Sequence, residues 1–247
     1  MTEVFPVGYR MQRLCFVPPR CGRFVGNRRT RGPGRVGGVS NAASTSSGGR
    51  GRPRLEPRRR KGASAAEEIL DAAAELFTTR GYAGTSTRMI AEAVGIRQAS
   101  LYHHFATKDD ILAALLEQTV SAALARAREL AAADGPAIDR LCELVRFDAD
   151  QLASARWNLG ALYLLPELGA DRFAEFRSAR SELAVTYEQL AAHALGRPDD
   201  PLQYLPLRLV ESVINLRSDN AIGGRGRPGR AEIVDAIVAA TRRIVGG

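Results

Sequence analysis

Between Gln98 and His104 the chain reads Gln-Ala-Ser-Leu-Tyr-His-His, which gathers a carboxamide, two very small side chains, a phenol and two imidazoles within two turns of a helix. A carboxamide donates and accepts at once, so Gln98 is equipped to pair bidentately with adenine in a DNA major groove. Ala99 and Ser100 are small enough to let backbone and short side chains approach base edges or a thymine methyl. The paired histidines raise the question of a metal, but neighbours on a helix point about 100° apart and no carboxylate stands at ligand spacing, so no metal is expected. Catalysis has as little to stand on. The chain holds 3 histidines, two of them in this stretch, with no phosphate-binding loop and no Ser-His-Asp set that spacing could place. A binding protein without a cofactor is expected, not an enzyme.

Helices must position these groups. Ser64-Ala65-Ala66-Glu67 reads as a capping box, the serine hydroxyl accepting from the Glu67 amide while the glutamate reaches back to the cap amide. Behind it Ile69, Leu70, Ala73, Leu76 and Phe77 recur every three or four residues, predicting a helix over roughly 65 to 80 with Gly81 as a left-handed stop. Thr85, Ser86 and Thr87 offer caps for a short helix with Met89, Ile90, Ala93 and Val94 inward, ended by Gly95 and plugged by Ile96. A second short helix, about Arg97 to Phe105, must turn Leu101 and Phe105 to the core and leave Gln98, Ala99, Tyr102 and His103 outward. Two short helices joined by a glycine turn make a helix-turn-helix.

The run Gly84-Thr85-Ser86-Thr87-Arg88-Met89-Ile90-Ala91-Glu92-Ala93-Val94-Gly95-Ile96-Arg97-Gln98-Ala99-Ser100-Leu101-Tyr102-His103-His104-Phe105, with Lys108 after it, resembles the DNA-binding domain of the TetR family of bacterial transcription regulators. The likeness covers residues 64 to about 112. It implies that Tyr102, His104 and Lys108 bind phosphates, that Thr87 does likewise, and that Arg88 and His103 reach bases or backbone. Such contacts set register, whereas Gln98, Ala99 and Ser100 would set sequence. Arg97 departs from the pattern: the family often has a serine or threonine cap there, and an arginine offers a phosphate or guanine contact instead. The resemblance further implies a homodimer on a palindromic double-stranded DNA operator, released by a small apolar or amphipathic effector.

The charge is unevenly spread. Residues 1 to 62 hold 15 of the 35 Lys+Arg and 2 of the 27 Asp+Glu, so that segment carries +13 and the remainder −5. Rich in Gly, Arg and Ser, it has too little periodic hydrophobicity to offset the entropy of folding and is expected to be a disordered basic tail. A tail of that charge is drawn to a polyanion through counterion release. Within it Arg50-Gly51-Arg52-Pro53 resembles the core of a minor-groove AT-hook; a plain solvated tail is the other reading. Cys15, Cys21 and Cys142 are too few for a disulfide framework, and no apolar run approaches the ~20 residues of a membrane span. A cytoplasmic, nucleoid-associated protein with no membrane contact is expected.

The fold class expected is all-α: a helix-turn-helix DNA-binding domain at 63–110 and a helical effector-binding and dimerisation domain at 111–247. Its helices are predicted at about 108 to 132, 136 to 154, 170 to 195, 201 to 217 and 229 to 245, with breaks at Asp134-Gly135-Pro136, Tyr163-Leu164-Leu165-Pro166 and Arg197-Pro198-Asp199-Asp200-Pro201. Phe147, Trp157, Tyr163, Phe173, Phe176 and Tyr187 would line the cavity the resemblance implies, with Arg156 or Asn158 as its polar handle; core packing explains aromatics at this spacing equally well. Leu205, Leu209, Val213 and Leu216, with Ile233, Val234, Ile237, Val238, Ala240, Ile244 and Val245, form broad apolar faces on the last two helices. In the family the corresponding pair makes a four-helix interface across a two-fold axis; completing the monomer core is the alternative. An architectural protein that binds DNA through its basic arm, largely without sequence preference, is the rival function.

Overall fold

The computed structural model describes residues 62–246, and every regular element among them is helical. Residues 1–61, with the expected tail and its Arg50-Gly51-Arg52-Pro53 motif, lie outside the described residues. Helix α1 (Ala65–Arg80) starts on Ser64, whose hydroxyl accepts from the Glu67 amide at 3.2 Å. The reciprocal bond differs from expectation: the Glu67 carboxylate accepts from the Ala63 amide at 2.8 Å, one residue before the cap. Ile69, Leu70, Ala73 and Phe77 face inward as the periodicity requires, while Leu76 is half-buried. Gly81 has φ 79° with ψ 156°, positive in φ but extended in ψ, so the chain leaves α1 along a path open mainly to glycine instead of the left-handed cap expected.

Ser86 caps α2 (Thr87–Val94) through the Met89 amide at 3.2 Å. Gly95 closes it in the left-handed region, with Gly95 N–H donating to Glu92 and Ile96 N–H to Ala91. That paired pattern satisfies two orphan carbonyls and brings Ile96 down on the core. Helix α3 (Gln98–Tyr102) follows directly and is shorter than the predicted 97 to 105. Arg97 stands at its cap with no side-chain bond, since a guanidinium cannot accept from an amide. At the other end the His104 amide reaches back only three residues, to Leu101, and tightens the last turn.

Helix α4 (Lys108–Ala132) opens with a capping box that the sequence reading passed over, Thr107 Oγ1 accepting from the Asp110 amide at 3.1 Å while the Asp110 carboxylate accepts from Thr107 N–H at 2.9 Å. Helices α5 (Ala137–Ser154), α6 (Ala174–Leu195), α7 (Leu205–Ser218) and α8 (Arg230–Val245) complete the body. Helix α4 packs along α6, and α5 lies against α4, α6, α7 and α8. Helices α6 and α7 begin four residues later than predicted because Asp171–Phe173 and Pro201–Tyr204 form tight 3₁₀ turns before them. Between α5 and α6 a 3₁₀ turn at Leu159–Leu162 presses so closely on α7 that a Cβ on Gly160 would lie 2.5 Å from Ile214 Cδ1.

The two predicted dimer faces divide. Val213 and Ile237 are buried within the protomer, on the inward side of their helices. Leu209, Leu216, Ile233 and Ile244 are half-buried on the flanks.

Leu101 is completely buried. Leu101→Ala is expected to destabilise the fold by about 3 kcal/mol through lost transfer energy and a residual cavity, measurable by urea unfolding. A change below ~1 kcal/mol would mean that the site collapses around the gap.

Candidate nucleic-acid interface

The short α3 presents its polar groups as a connected surface. Arg97, Gln98, Ala99, Ser100, Tyr102, His103 and His104 are all exposed, while Leu101 points the opposite way. Gln98 Nε2 donates to Thr87 Oγ1 at 3.0 Å and to Tyr102 Oη at 3.2 Å, and those hydroxyls lie 3.1 Å apart. The first residue of α2 is thereby tied to both ends of α3. Arg88 forms an exposed ion pair with Glu92 at 2.8 Å, one turn along α2; such a pair is weak enough to exchange for a phosphate.

Lys108 differs from the expectation of a free phosphate ligand. Its Nζ donates to the carbonyls of Tyr82 and Thr85 at 2.9 and 3.0 Å and stands 4.0 Å above the Tyr82 ring. Two of its three donors are thus used within the protein. Tyr82 in turn donates its hydroxyl to Asp109 and meets Phe77 edge-on at 5.1 Å. Burial first, then the Asp109 carboxylate, pushes its phenol above the usual tyrosine range, so it remains a donor. Thr85 is buried too and donates to the Leu76 and Gly81 carbonyls, leaving Ser86 as the cap. These residues clamp the loop after α1 to the start of α4. Tyr82 was not singled out from sequence, and its place two residues after the predicted end of α1 was the available signal.

A sequence profile described as "Bacterial regulatory proteins, tetR family" matches residues 69–115, which cover α1 from its second turn, the helix-turn-helix and the first turns of α4. The crystal structure of AmtR from Mycobacterium smegmatis is 55% identical in sequence, with a TM-score of 0.71 over 77% of this chain and 90% of that one. The chain belongs to the TetR family. Among curated relatives, the HTH-type transcriptional repressor KstR2 of Mycobacterium tuberculosis is 38% identical over 74 residues, 30% of this chain and 37% of that protein. The match therefore spans little more than a third of KstR2's length. The repressor AcnR of Corynebacterium efficiens is 26% identical over 183 residues, 72% of this chain and 92% of that protein.

In this TetR-family chain the residues expected to line an effector cavity do not converge. Phe147 sits on the outer surface, in a groove with Arg146, Asp150 and Val234. Arg156 and Trp157 both bond Asp71 of α1, at 2.7 and 3.0 Å, with the guanidinium 4.7 Å from the indole centre. Asn158 donates to the Ile214 carbonyl and to Ser218. Only Tyr163, Phe176, Phe173 and Tyr187 point into the body, and Tyr163 meets Phe176 at 5.5 Å.

Of these, Tyr163 borders a small cavity in which polar groups stand among the aliphatic side chains of Val120, Leu152, Leu183 and Leu207. This cavity of about 20 Å³ is lined by Thr119, Asp148, Tyr163, Arg180, Leu183 and Glu211, among others. That volume suits a single water. Tyr163 donates to Thr119 Oγ1 at 2.7 Å, Arg180 pairs with Glu211 and stacks 4.9 Å from the Tyr163 ring, and Tyr187 donates to Asp148 at 3.1 Å. Asp148 was missed from sequence, although a lone acid at the i+3 and i+4 spacing of Leu141, Leu144 and Val145 marks an inward position. Burial pushes its carboxyl up to about 6, against the opposing hydrogen bond from Tyr187.

The folded protein therefore keeps a proton on Asp148 where the unfolded chain has released it. The resulting stability is present below the ordinary aspartate range and is lost as pH rises through about 6. Relative to Asp148→Asn, the unmodified protein should lose on the order of 2 kcal/mol between pH 4 and pH 7, read from unfolding curves at each pH. A difference that stays constant with pH contradicts the assignment.

Proposed function

We propose that the chain is a dimeric repressor that reads a palindromic operator with α3 and is released by a small-molecule effector. The observation that carries the DNA-reading part is the exposed Gln98-Ala99-Ser100 face, held outward by the burial of Leu101 directly behind it. Gln98, Ala99 and Ser100 meet base edges. Thr87, Tyr102 and His104 hold phosphates, and Arg88, Arg97 and His103 reach backbone or neighbouring bases. Lys108 has one remaining N–H for a phosphate and otherwise fixes the head on α4.

Dimerisation rests on the flanks of the last two helices. Leu205, Leu209 and Leu216 form an apolar strip along α7, and Ile233, Ala236, Ala240 and Ile244 form one along α8. All are left half-buried or exposed by the protomer's own core. Pairing these strips across a two-fold axis sets two α3 helices about 34 to 36 Å apart, one turn of DNA.

Release follows the length of α4. Its first turn is clamped to the head through Lys108 and Asp109, and Thr119, eleven residues on, borders the polar centre. At 1.5 Å per residue that is about 16 Å of continuous helix. An effector larger than a water must open the centre and displace Thr119, which tilts α4 and carries the head with it. The Asp71 contacts with Arg156 and Trp157 join α1 to the chain leaving α5 and form a second coupling between the same parts.

Selection from a random DNA pool tests the reading, using the full chain and a version beginning at Gly62 at two salt concentrations. Both should enrich one palindrome with half-sites about a turn apart, Gln98→Ala should relax one column of each half-site, and the shorter version should show a shallower salt dependence. Binding by the full chain alone, without sequence preference, would replace the repressor by the architectural arm.

A further inference from the structure

The chain leaving α5 is held from two sides within a few residues. From the head, Asp71 in the second turn of α1 accepts from Arg156 Nη1 at 2.7 Å and from Trp157 Nε1 at 3.0 Å, both at Oδ1. Only 16% of the Asp71 side chain is exposed, so these bonds compete little with water. From the body, the last turns of α7 take hold of the same stretch. Arg217 donates to the carbonyls of Leu152 and Ala155, and Asn158 Nδ2 donates to the Ile214 carbonyl at 2.9 Å and to Ser218 Oγ at 3.0 Å. Two residues later Gly160 presses on Ile214. Arg156 and Trp157 therefore stand between two anchors on α7, at Ala155 and Asn158. Leu216, on the same turn of α7 as those anchors, belongs to the apolar strip assigned to the two-fold contact. A path from that contact to α1 thus runs through residues 155–158, independently of α4.

The head is also fixed at the start of α4, where Lys108 holds the Tyr82 and Thr85 carbonyls and Tyr82 bonds Asp109. That clamp lies beyond the C-terminal end of α1, whereas Asp71 lies nine residues before Arg80, about 14 Å back along the helix. One point of attachment leaves a rigid body free to pivot, and a second at the far end of such a lever removes the rotation. We propose that Asp71 is a positioning residue for half-site spacing. By pinning α1 to the segment that α7 holds, it stops each head from pivoting on its α4 clamp and commits the dimer to one separation of its two α3 helices. One added base pair moves two half-sites about 3.4 Å apart and turns one against the other by about a tenth of a turn. Each head would have to pivot by half that amount to follow. Base edges are met by Gln98, Ala99 and Ser100 on α3, so loosening α1 against the body changes where the two faces stand and leaves each face intact. The inference rests on the reading of the chain as a dimer whose α3 helices meet two half-sites.

The test is tolerance of spacing. Full-length protein is offered the palindrome it selects, the same palindrome with the gap between half-sites lengthened or shortened by one or two base pairs, and a single half-site. The unmodified protein should prefer one gap over its neighbours by about thirtyfold, and Asp71→Ala should bring this to about threefold, a loss set by one charged hydrogen bond. Affinity for the single half-site should stay unchanged. Asp71→Asn keeps an oxygen that accepts from Trp157 Nε1 and should hold most of the preference. Trp157→Phe removes the indole N–H, keeps a ring and should loosen the gap in the same direction as Asp71→Ala, so it decides if Asp71→Ala does not fold. A head that is merely destabilised binds every gap and the single half-site more weakly by one factor. That uniform loss overturns the proposal, as does a spacing profile unchanged in both Asp71→Ala and Trp157→Phe, or an unmodified protein that takes all gaps alike. Selection of no palindrome by the unmodified protein overturns the dimeric DNA reading beneath it, and is told apart because no spacing profile then exists for a variant to change.

Discussion

Burial of Leu101 is the contact on which the exposed polar face of α3 depends. A helix of five residues has no independent stability, because nucleating its first turn costs more than its few hydrogen bonds return. Its existence and its roll about its own axis come from Leu101 sinking fully into the core, against which Phe105 also packs. Once that side is fixed inward, residues 98, 99, 102 and 103 have only the outside to occupy. The Gly95 turn then limits how far α3 can swing from α2, and the Thr87–Gln98–Tyr102 bonds span what remains of that freedom.

The head is joined to the body by a set of specific polar contacts. Lys108 caps two carbonyls of the loop after α1 while lying on the Tyr82 ring, Tyr82 holds Asp109, and Asp110 completes the cap of α4 and pairs with Arg172. On the other flank Asp71 holds Arg156 and Trp157 together. Hydrogen bonds to charged groups in partly buried settings are directional and stronger than exposed ion pairs. These contacts tie the loop after α1 to the start of α4.

The body's own centre works on a different balance. Asp148, Tyr187, Tyr163, Thr119, Arg180 and Glu211 are drawn into an otherwise aliphatic interior, where each polar group is costly unless partnered. Nearly all the partnering is internal, and it leaves room for little more than a water. Leu183, Leu207, Val120 and Leu152 seal the surroundings. The centre is closed both by satisfied polar contacts and by these aliphatic side chains.

Local regularities settled much of this molecule before any contact was known. The Ser64 cap, the spacing of Ile69, Leu70 and Phe77, the Gly95 stop, and the inward placement of Leu101 against outward Gln98 and Ala99 are all consequences of a 3.6-residue period and of side chains acting within four residues of themselves. The same logic accounts for the exposure of Gln98, Ala99, Tyr102 and His103, because exposure on a short amphipathic helix is fixed by which neighbours are apolar. What Lys108, Asp71 and Asp148 do was decided by partners 23 to 86 residues distant, a separation over which chain periodicity carries no information. For the same reason the burial of Val213 and Ile237 within the protomer was not legible: an apolar face says that something covers it, and only the packing of α5 against α7 and α8 determined what covers these two.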